Sequence, residues 1–256
     1  MSTLNVTVVQ ADLYWHEPER NLSAFSKMLA QSDEPTDLYV LPEMFSSGFT
    51  MHAEAHAERM DGRSVSWMAE TAQKTGAAIC GSLIIEEDGD HYNRFILMRA
   101  DGQAEYYDKR HLFRLAGEHE HYAAGRELRT FDLNGWRIRP MVCYDLRFPV
   151  WSRNRDHYDL LVYVANWPDR RHLAWETLIR ARAIENQAFV AAVNRVGTDG
   201  NDIHYAGGSA IIDYLGNYLA SFSTEPSLSS ATLDMTALSE FRMKFPFHTD
   251  ADAFTL

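Results

Sequence analysis

The chain has 256 residues, 46% of them hydrophobic and 23% charged, and a net charge of −12. That composition supplies a large core and lacks the basic face a nucleic-acid partner needs. Two cysteines, Cys80 and Cys143, are too few for a disulfide framework, so a cytoplasmic location is expected.

Met1 to Leu13 has neither the basic start nor the long apolar stretch of a secretion signal, and no apolar run approaches the ~20 residues that span a bilayer. No membrane partner is expected. Leu4 to Gln10 is short and β-branched and reads as a strand. Asn21 is positioned to cap the helix that runs on through Leu29. Asp37 to Leu41 reads as a buried strand stopped by Pro42. Ser64 to Thr75 has helical spacing, with Gly76 where the helix would end. Ala77 to Ile85 is an apolar strand that contains Cys80.

Tyr92–Arg99 and Gln103–Tyr107 flank Asp101-Gly102, and Phe131–Leu133 and Trp136–Val142 flank Asn134-Gly135. Both pairs carry the signature of a hairpin. Leu160–Ala165 is a strand, Leu173–Gln187 a long helix, and Phe189–Asn194 and Ser209–Asp213 are strands. Leu215-Gly216-Asn217 turns into a strand over Tyr218–Phe222, and Ala231–Asp234 is the last strand. Strands and helices alternate, with hairpins between, which predicts a layered α/β protein. No linker, repeat or low-complexity tract interrupts the chain, so residues 1–256 are expected to form one domain. The polar and aromatic tail from about residue 235 is expected to wrap the core or meet a partner subunit.

Three residues each follow a strand. Cys143 ends Trp136–Val142 and precedes a polar turn in which Pro149 can open a helix. Backbone N–H groups at such a turn can stabilise a thiolate and then an oxyanion. Glu43 follows Val40-Leu41-Pro42, amid Met44, Phe45 and Phe49, and suits a general base. Lys109 follows Tyr106-Tyr107-Asp108. Beside Cys143 its charge would lower the thiol pKa from about 8.5 and neutralise an oxyanion. Each has a plainer reading: a structural thiol, a loop acid, a solvated lysine. For Cys80, inside an apolar strand, the structural reading is preferred. Together, Glu43, Lys109 and Cys143 are the base, charge stabiliser and nucleophile of acyl transfer.

That ordered set resembles the nitrilase, or carbon–nitrogen hydrolase, superfamily. The matching segments are Leu41-Pro42-Glu43-Met44-Phe45, Tyr107 to Phe113 and Val142 to Pro149. Asn166-Trp167-Pro168, Arg182 to Gln187 and Gly207-Gly208-Ser209 match as well. The resemblance implies a four-layer α-β-β-α sandwich, a homodimer or higher homo-oligomer, and no metal or organic cofactor. It also implies a second glutamate, for which Glu118 and Glu120 compete; spacing to Ala124-Gly125 favours Glu118.

Cys143-Tyr144-Asp145-Leu146-Arg147-Phe148-Pro149 is similar to the omega-amidase, or 2-oxoglutaramate amidase, branch, and to the deaminated-glutathione amidases. Nitrilases proper carry Trp-Glu after the cysteine where this chain has Tyr144-Asp145, which speaks against nitriles as substrates. The implied reaction is hydrolysis of a small 2-oxo acid monoamide, 2-oxoglutaramate or 2-oxosuccinamate, to the 2-oxo acid and ammonia through a cysteine thioester. Deaminated glutathione and N-carbamoyl amino acids are the alternatives, and a non-enzymatic binding module is a further one. Arg147 is the candidate for a substrate carboxylate. Tyr144 offers a backbone N–H to the oxyanion, Asn166 and Trp167 are expected to line the pocket, and Phe45, Phe113 and Phe148 to supply its apolar wall. A metal hydrolase is the rival reading, because Glu118-His119-Glu120-His121 and His111 are dense in possible ligands. They lack His-Glu-x-x-His spacing.

Overall fold

The structure, a computed structural model, describes residues 2–155, 157–221 and 224–255. In chain order the strands begin with β1 (Thr3–Gln10), β2 (Leu38–Val40), β3 (Ala78–Glu87), β4 (Asp90–Met98) and β5 (Ala104–Asp108). They continue with β6 (Phe131–Leu133), β7 (Trp136–Val142), β8 (Leu160–Ala165), β9 (Phe189–Asn194) and the short β10 (Val196–Thr198) and β11 (His204–Ala206). Last come β12 (Ala210–Ile212), β13 (Tyr218–Ser221) and β14 (Ser227–Asp234). The helices are α1 (Pro18–Leu29), α2 (Ala53–His56), α3 (Arg63–Thr75), α4 (Pro149–Ser152), α5 (His172–Asn186) and α6 (Met235–Lys244).

Two six-stranded sheets result, ordered β14-β1-β2-β3-β4-β5 and β13-β12-β9-β8-β7-β6. Both are mixed. β1, β2 and β3 run parallel, as do β7, β8 and β9, and antiparallel strands complete each sheet. Alternation along the strands decides the layering. Val6, Val8, Val40, Cys80 and Phe95 face the second sheet and share one core with β7 and β8. Val9, Tyr39, Ile79 and Ile96 face outward and are covered by Phe25 and Leu29 of α1 and Met68 and Ala72 of α3. On the other side Trp175, Ile179 and Ala183 of α5 cover the second sheet. The order is α-β-β-α, as expected.

Both predicted hairpins form: β4 pairs with β5 and β6 with β7, with Asn134 at φ 55° and Gly135 at φ 82° in the second turn. A further hairpin, β3 to β4 through Asp88-Gly89, was missed although it carries the same dipeptide signal. Gly76 ends α3 at φ 72°, in the left-handed region. Asn21 is not a cap. Pro18 opens α1, and Asn21 lies within the helix, where its side chain bonds Tyr14 and Ser46. The strand expected over Tyr218–Phe222 is seen to Ser221; Phe222 lies outside the described residues.

The segment after Asp234 contains a helix that composition did not reveal. Asp234 caps α6 through Thr236 and Ala237. Arg242 then ties it to Asp159 and to the Tyr158 and Gln187 carbonyls. No helix among the described residues is long and apolar enough to cross a membrane.

Candidate functional site

Parallel strands in each sheet end at one edge, and the turns that follow them carry the predicted residues. Glu43 lies just past β2, where Ser82 Oγ accepts the Met44 N–H at 2.9 Å and Met44 adopts φ 43°. Lys109 leaves β5 with its N–H on the Asn93 carbonyl, 3.0 Å away. Cys143 leaves β7 at φ 45°, a conformation uncommon outside glycine that turns the thiol abruptly off the strand. Asp145 holds that turn. Its carboxylate accepts the Val142 N–H (3.0 Å), the Tyr107 hydroxyl (2.8 Å) and the His111 N–H (3.0 Å). The Cys143 turn is thereby fastened to the segment that carries Lys109. Arg182 of α5 adds a bond to the Leu146 carbonyl at 2.7 Å.

The structure brings Glu43, Lys109, Glu118 and Cys143 together. Glu43 and Glu118 are fully buried and Lys109 is 1% exposed. Lys109 Nζ donates to Glu43 Oε1 at 2.9 Å and to Glu118 Oε1 and Oε2 at 2.9 and 3.0 Å. Asn93 Nδ2 donates to the same two glutamates, at 2.8 and 3.3 Å, while its Oδ1 accepts from Ser82 Oγ at 2.8 Å. The second Glu43 oxygen accepts the Asn166 N–H at 2.9 Å. Asn166 Nδ2 donates to the Glu43 carbonyl at 2.6 Å, and Cys143 Sγ sits 3.9 Å from the Asn166 carbonyl. Glu118 is the inward glutamate. Glu120 sits on the exposed side of the same turn, near His119.

Electrostatics corrects one expectation. Burial and then the Glu43 charge push the Cys143 thiol well above its ordinary pKa, a hydrogen bond to Glu43 adds to this, and Lys109 only partly opposes it. The thiol does not rest as a thiolate, because two carboxylates already claim the ammonium. Burial alone would lower Lys109, but the charges of Glu118 and Glu43 outweigh it and keep the ammonium protonated. Burial raises Glu118 despite Lys109. A neutral thiol beside a held carboxylate suits proton transfer during attack.

A cavity of about 240 Å³ opens over this cluster. Lys109, Cys143, Tyr144, Arg147, Asn166, Trp167 and Phe113 line it. Phe45 and Phe148 do not. Phe45 packs edge-on against Phe25 in the layer under α1 and α3, because the turn at Met44, with φ 43°, carries it away from the Glu43 side. Phe148 stacks on His111 with ring centroids 3.8 Å apart. Phe49 takes the expected place of Phe45 and lies 5.1 Å from Lys109 Nζ. The loop carrying it is held by Tyr122, whose hydroxyl donates to the Thr50 carbonyl at 2.6 Å, and by a 3.0 Å bond between His16 Nε2 and Thr50 Oγ1.

Sequence reasoning missed Ser82, although it is a polar interruption of an apolar strand, and Asn93, which the polar first half of β4 conceals. It also missed Arg171, Ile203 and Tyr205 of the cavity wall. The last two stand on the β10–β11 ribbon, which has no periodic signature. Gly207, just beyond β11, has φ 73°, and a Cβ there would lie 2.4 Å from Gln10 Oε1; at Gly208, φ 78°, it would lie 2.5 Å from His172 Cε1. The residues of the rival metal reading are pulled apart: Glu118 turns in to Lys109 and His111 bonds Asp145 at 2.8 Å. No group of three potential ligands is gathered among the described residues. Cys80 is buried between the sheets with its thiol pKa raised by burial.

Comparison with known proteins gives the family and agrees with the fold. A family model described as carbon-nitrogen hydrolase matches residues 5–243. The omega-amidase YafV of Escherichia coli K12 is 48% identical over 257 residues, covering all of both chains. A 2-oxoglutaramate amidase of Bacillus subtilis is 35% identical over 96% of each chain. Among solved structures, XC1258 of Xanthomonas campestris, a CN-hydrolase superfamily protein with an arsenic adduct in its active site, superposes with a TM-score of 0.97. It is 46% identical, with full coverage of both chains.

Proposed function

The chain belongs to the carbon–nitrogen hydrolase family, and from that premise we propose that Glu43, Lys109, Glu118 and Cys143 hydrolyse the terminal amide of a small 2-oxo acid. The enzyme is an omega-amidase, a hydrolase acting on amides. Its substrates on this reading are 2-oxoglutaramate and 2-oxosuccinamate. The observation that carries the assignment of residues is the single buried cluster in which one ammonium bridges two carboxylates beside a half-buried thiol.

Glu43 takes the Cys143 proton as sulfur attacks the amide carbon, and a C–S bond forms. The oxygen gains the electron pair and is held by Lys109 and the Tyr144 N–H. Glu43 returns the proton to nitrogen as the C–N bond breaks, and ammonia leaves a thioester. Water then gives a proton to Glu43 and attacks the thioester, releasing the 2-oxo acid. The proton goes back to sulfur. Glu118 and Asn93 hold Lys109 and Glu43 in place without touching substrate.

A cavity of about 240 Å³ supports a small acid over a tripeptide-sized one such as deaminated glutathione. Arg147 at its wall suits the carboxylate, its guanidinium resting 4.9 Å from the Trp167 ring centre. Ammonia release should be compared for 2-oxoglutaramate, 2-oxosuccinamate, a deaminated glutathione and an N-carbamoyl amino acid. Higher kcat/KM on the first two is expected; a large advantage for the carbamoyl compound would reject the substrate assignment.

A further inference from the structure

We propose that Arg171, a residue outside the acylation cluster, reads the 2-oxo group of the substrate while Arg147 takes the carboxylate. This rests on the reading of the site as one for 2-oxo acid monoamides. Arg171 lines the same cavity as Arg147, and its guanidinium lies 5.0 Å from the centre of the Phe113 ring. Arg147 and Arg171 thus each stand within cation–π distance of one aromatic wall of the cavity.

Their lack of a carboxylate partner among the described residues is what points to a ligand. In this acidic chain the buried or nearly buried Arg94, Arg182, Arg195 and Arg242 each hold a carboxylate at 2.7–2.9 Å, and the buried Arg139 bonds the Thr130 hydroxyl. Among the described residues neither Arg147 nor Arg171 has one. Arg171 is half-buried, and burial, then the charges of Arg170 and Arg147, depress its pKa. A half-buried guanidinium beside other cations, with no carboxylate partner among the described residues, is stabilised by an electron-rich ligand.

Depth assigns the two roles. In a 2-oxo acid monoamide bound through its amide carbon at Cys143, the 2-oxo oxygen lies nearer the sulfur and the carboxylate farther out. Arg171 is the more buried of the pair and lines the cavity together with Cys143, whereas Arg147 is exposed. A guanidinium fork suits both: parallel N–H bonds to a carboxylate, or a charge-assisted N–H bond to a ketone oxygen.

The test measures ammonia release from 2-oxosuccinamate, from succinamate, which lacks the oxo group, and from neutral butyramide. Wild type is expected to favour the 2-oxo acid. Arg171→Gln should shrink that preference about ten- to a hundred-fold, the range of one charge-assisted hydrogen bond. Arg147→Gln should keep the preference and lower both acids together relative to butyramide. Arg171→Lys retains a cationic donor and should restore part of the lost preference, which a purely structural role would not produce. Equal losses on both acids in Arg171→Gln, or an unaltered preference, overturn the proposal. A wild-type enzyme inactive on both acids would instead refute the substrate reading beneath it.

Discussion

The floor and the mouth of the cavity are built on opposite principles. On the floor every carboxylate oxygen has a partner within the protein: Lys109 bridges Glu43 and Glu118, Asn93 spans the same two acids, and the Asn166 and Phe113 N–H groups take the remaining oxygens. At the mouth Arg147 and Arg171 rest on Trp167 and Phe113 with no carboxylate partner among the described residues. A saturated, buried network keeps its geometry when substrate enters, which is what electrostatic stabilisation of an oxyanion needs. An unsaturated rim saves its donors for the ligand. The chemistry is fixed on the floor and the choice of substrate is made at the mouth.

Substitutions can break that contrast. The largest effect is expected for Lys109→Ala, which removes an oxyanion partner and should lower kcat by at least about 10²–10³-fold. It also leaves two buried carboxylates facing each other, so a loss of about 3–5 kcal/mol of stability should accompany it in a thermal melt. A variant that loses activity at unaltered Tm would mean the ammonium is not the keystone of the floor.

Asn93→Ala comes next. It loosens Glu43 and Glu118 without touching substrate, and misplacement on that scale costs up to about 10²-fold in rate. The loss should fall on kcat for every amide alike. If it appeared in KM for acids alone, Asn93 would belong to the mouth. Arg147→Ala should do the reverse, raising KM for carboxylate substrates about tenfold or more while costing neutral amides much less.

The smallest effect sits behind the floor, where His16 supports the loop carrying Phe49. Burial, then the charges of His56 and His52, lower its pKa from 6.5 to about 4. An imidazole depressed in the folded state is protonated first in the unfolded chain as pH falls. Its stabilisation is complete above pH 6.5 and is lost progressively as pH drops toward about 4. His16→Gln should therefore flatten the fall of Tm across that window. A melt series with the wild-type slope would exclude His16 as its source.

The sheets were legible because their strands are apolar and punctuated by Asp-Gly, Asn-Gly, Gly76 and Pro42. Glu43, Lys109 and Cys143 stood out because each directly follows such a strand. What the sequence hid was orientation. Phe45 and Phe49 are both aromatics near Glu43, yet one fills the layer under α1 and α3 and the other faces Lys109. Local spacing cannot choose between them once the chain has left the strand. The Cys143 pKa was likewise hidden, since it depends on how many acids share Lys109, and Glu118 comes from a turn with no periodic pattern. The helix after Asp234 was missed because its stability comes from Asp234 capping and Arg242 docking more than from an apolar stripe.

The claim that organises the rest is that Cys143 carries the acyl group. Rapid acid quench during turnover of 2-oxosuccinamate, followed by mass analysis of the cysteine peptides, tests it directly. The expected result is the acyl group of the substrate on the Cys143 peptide, absent from the Cys80 peptide, and no ammonia release from Cys143→Ala. An unmodified Cys143 peptide together with wild-type ammonia release from Cys143→Ala would contradict it.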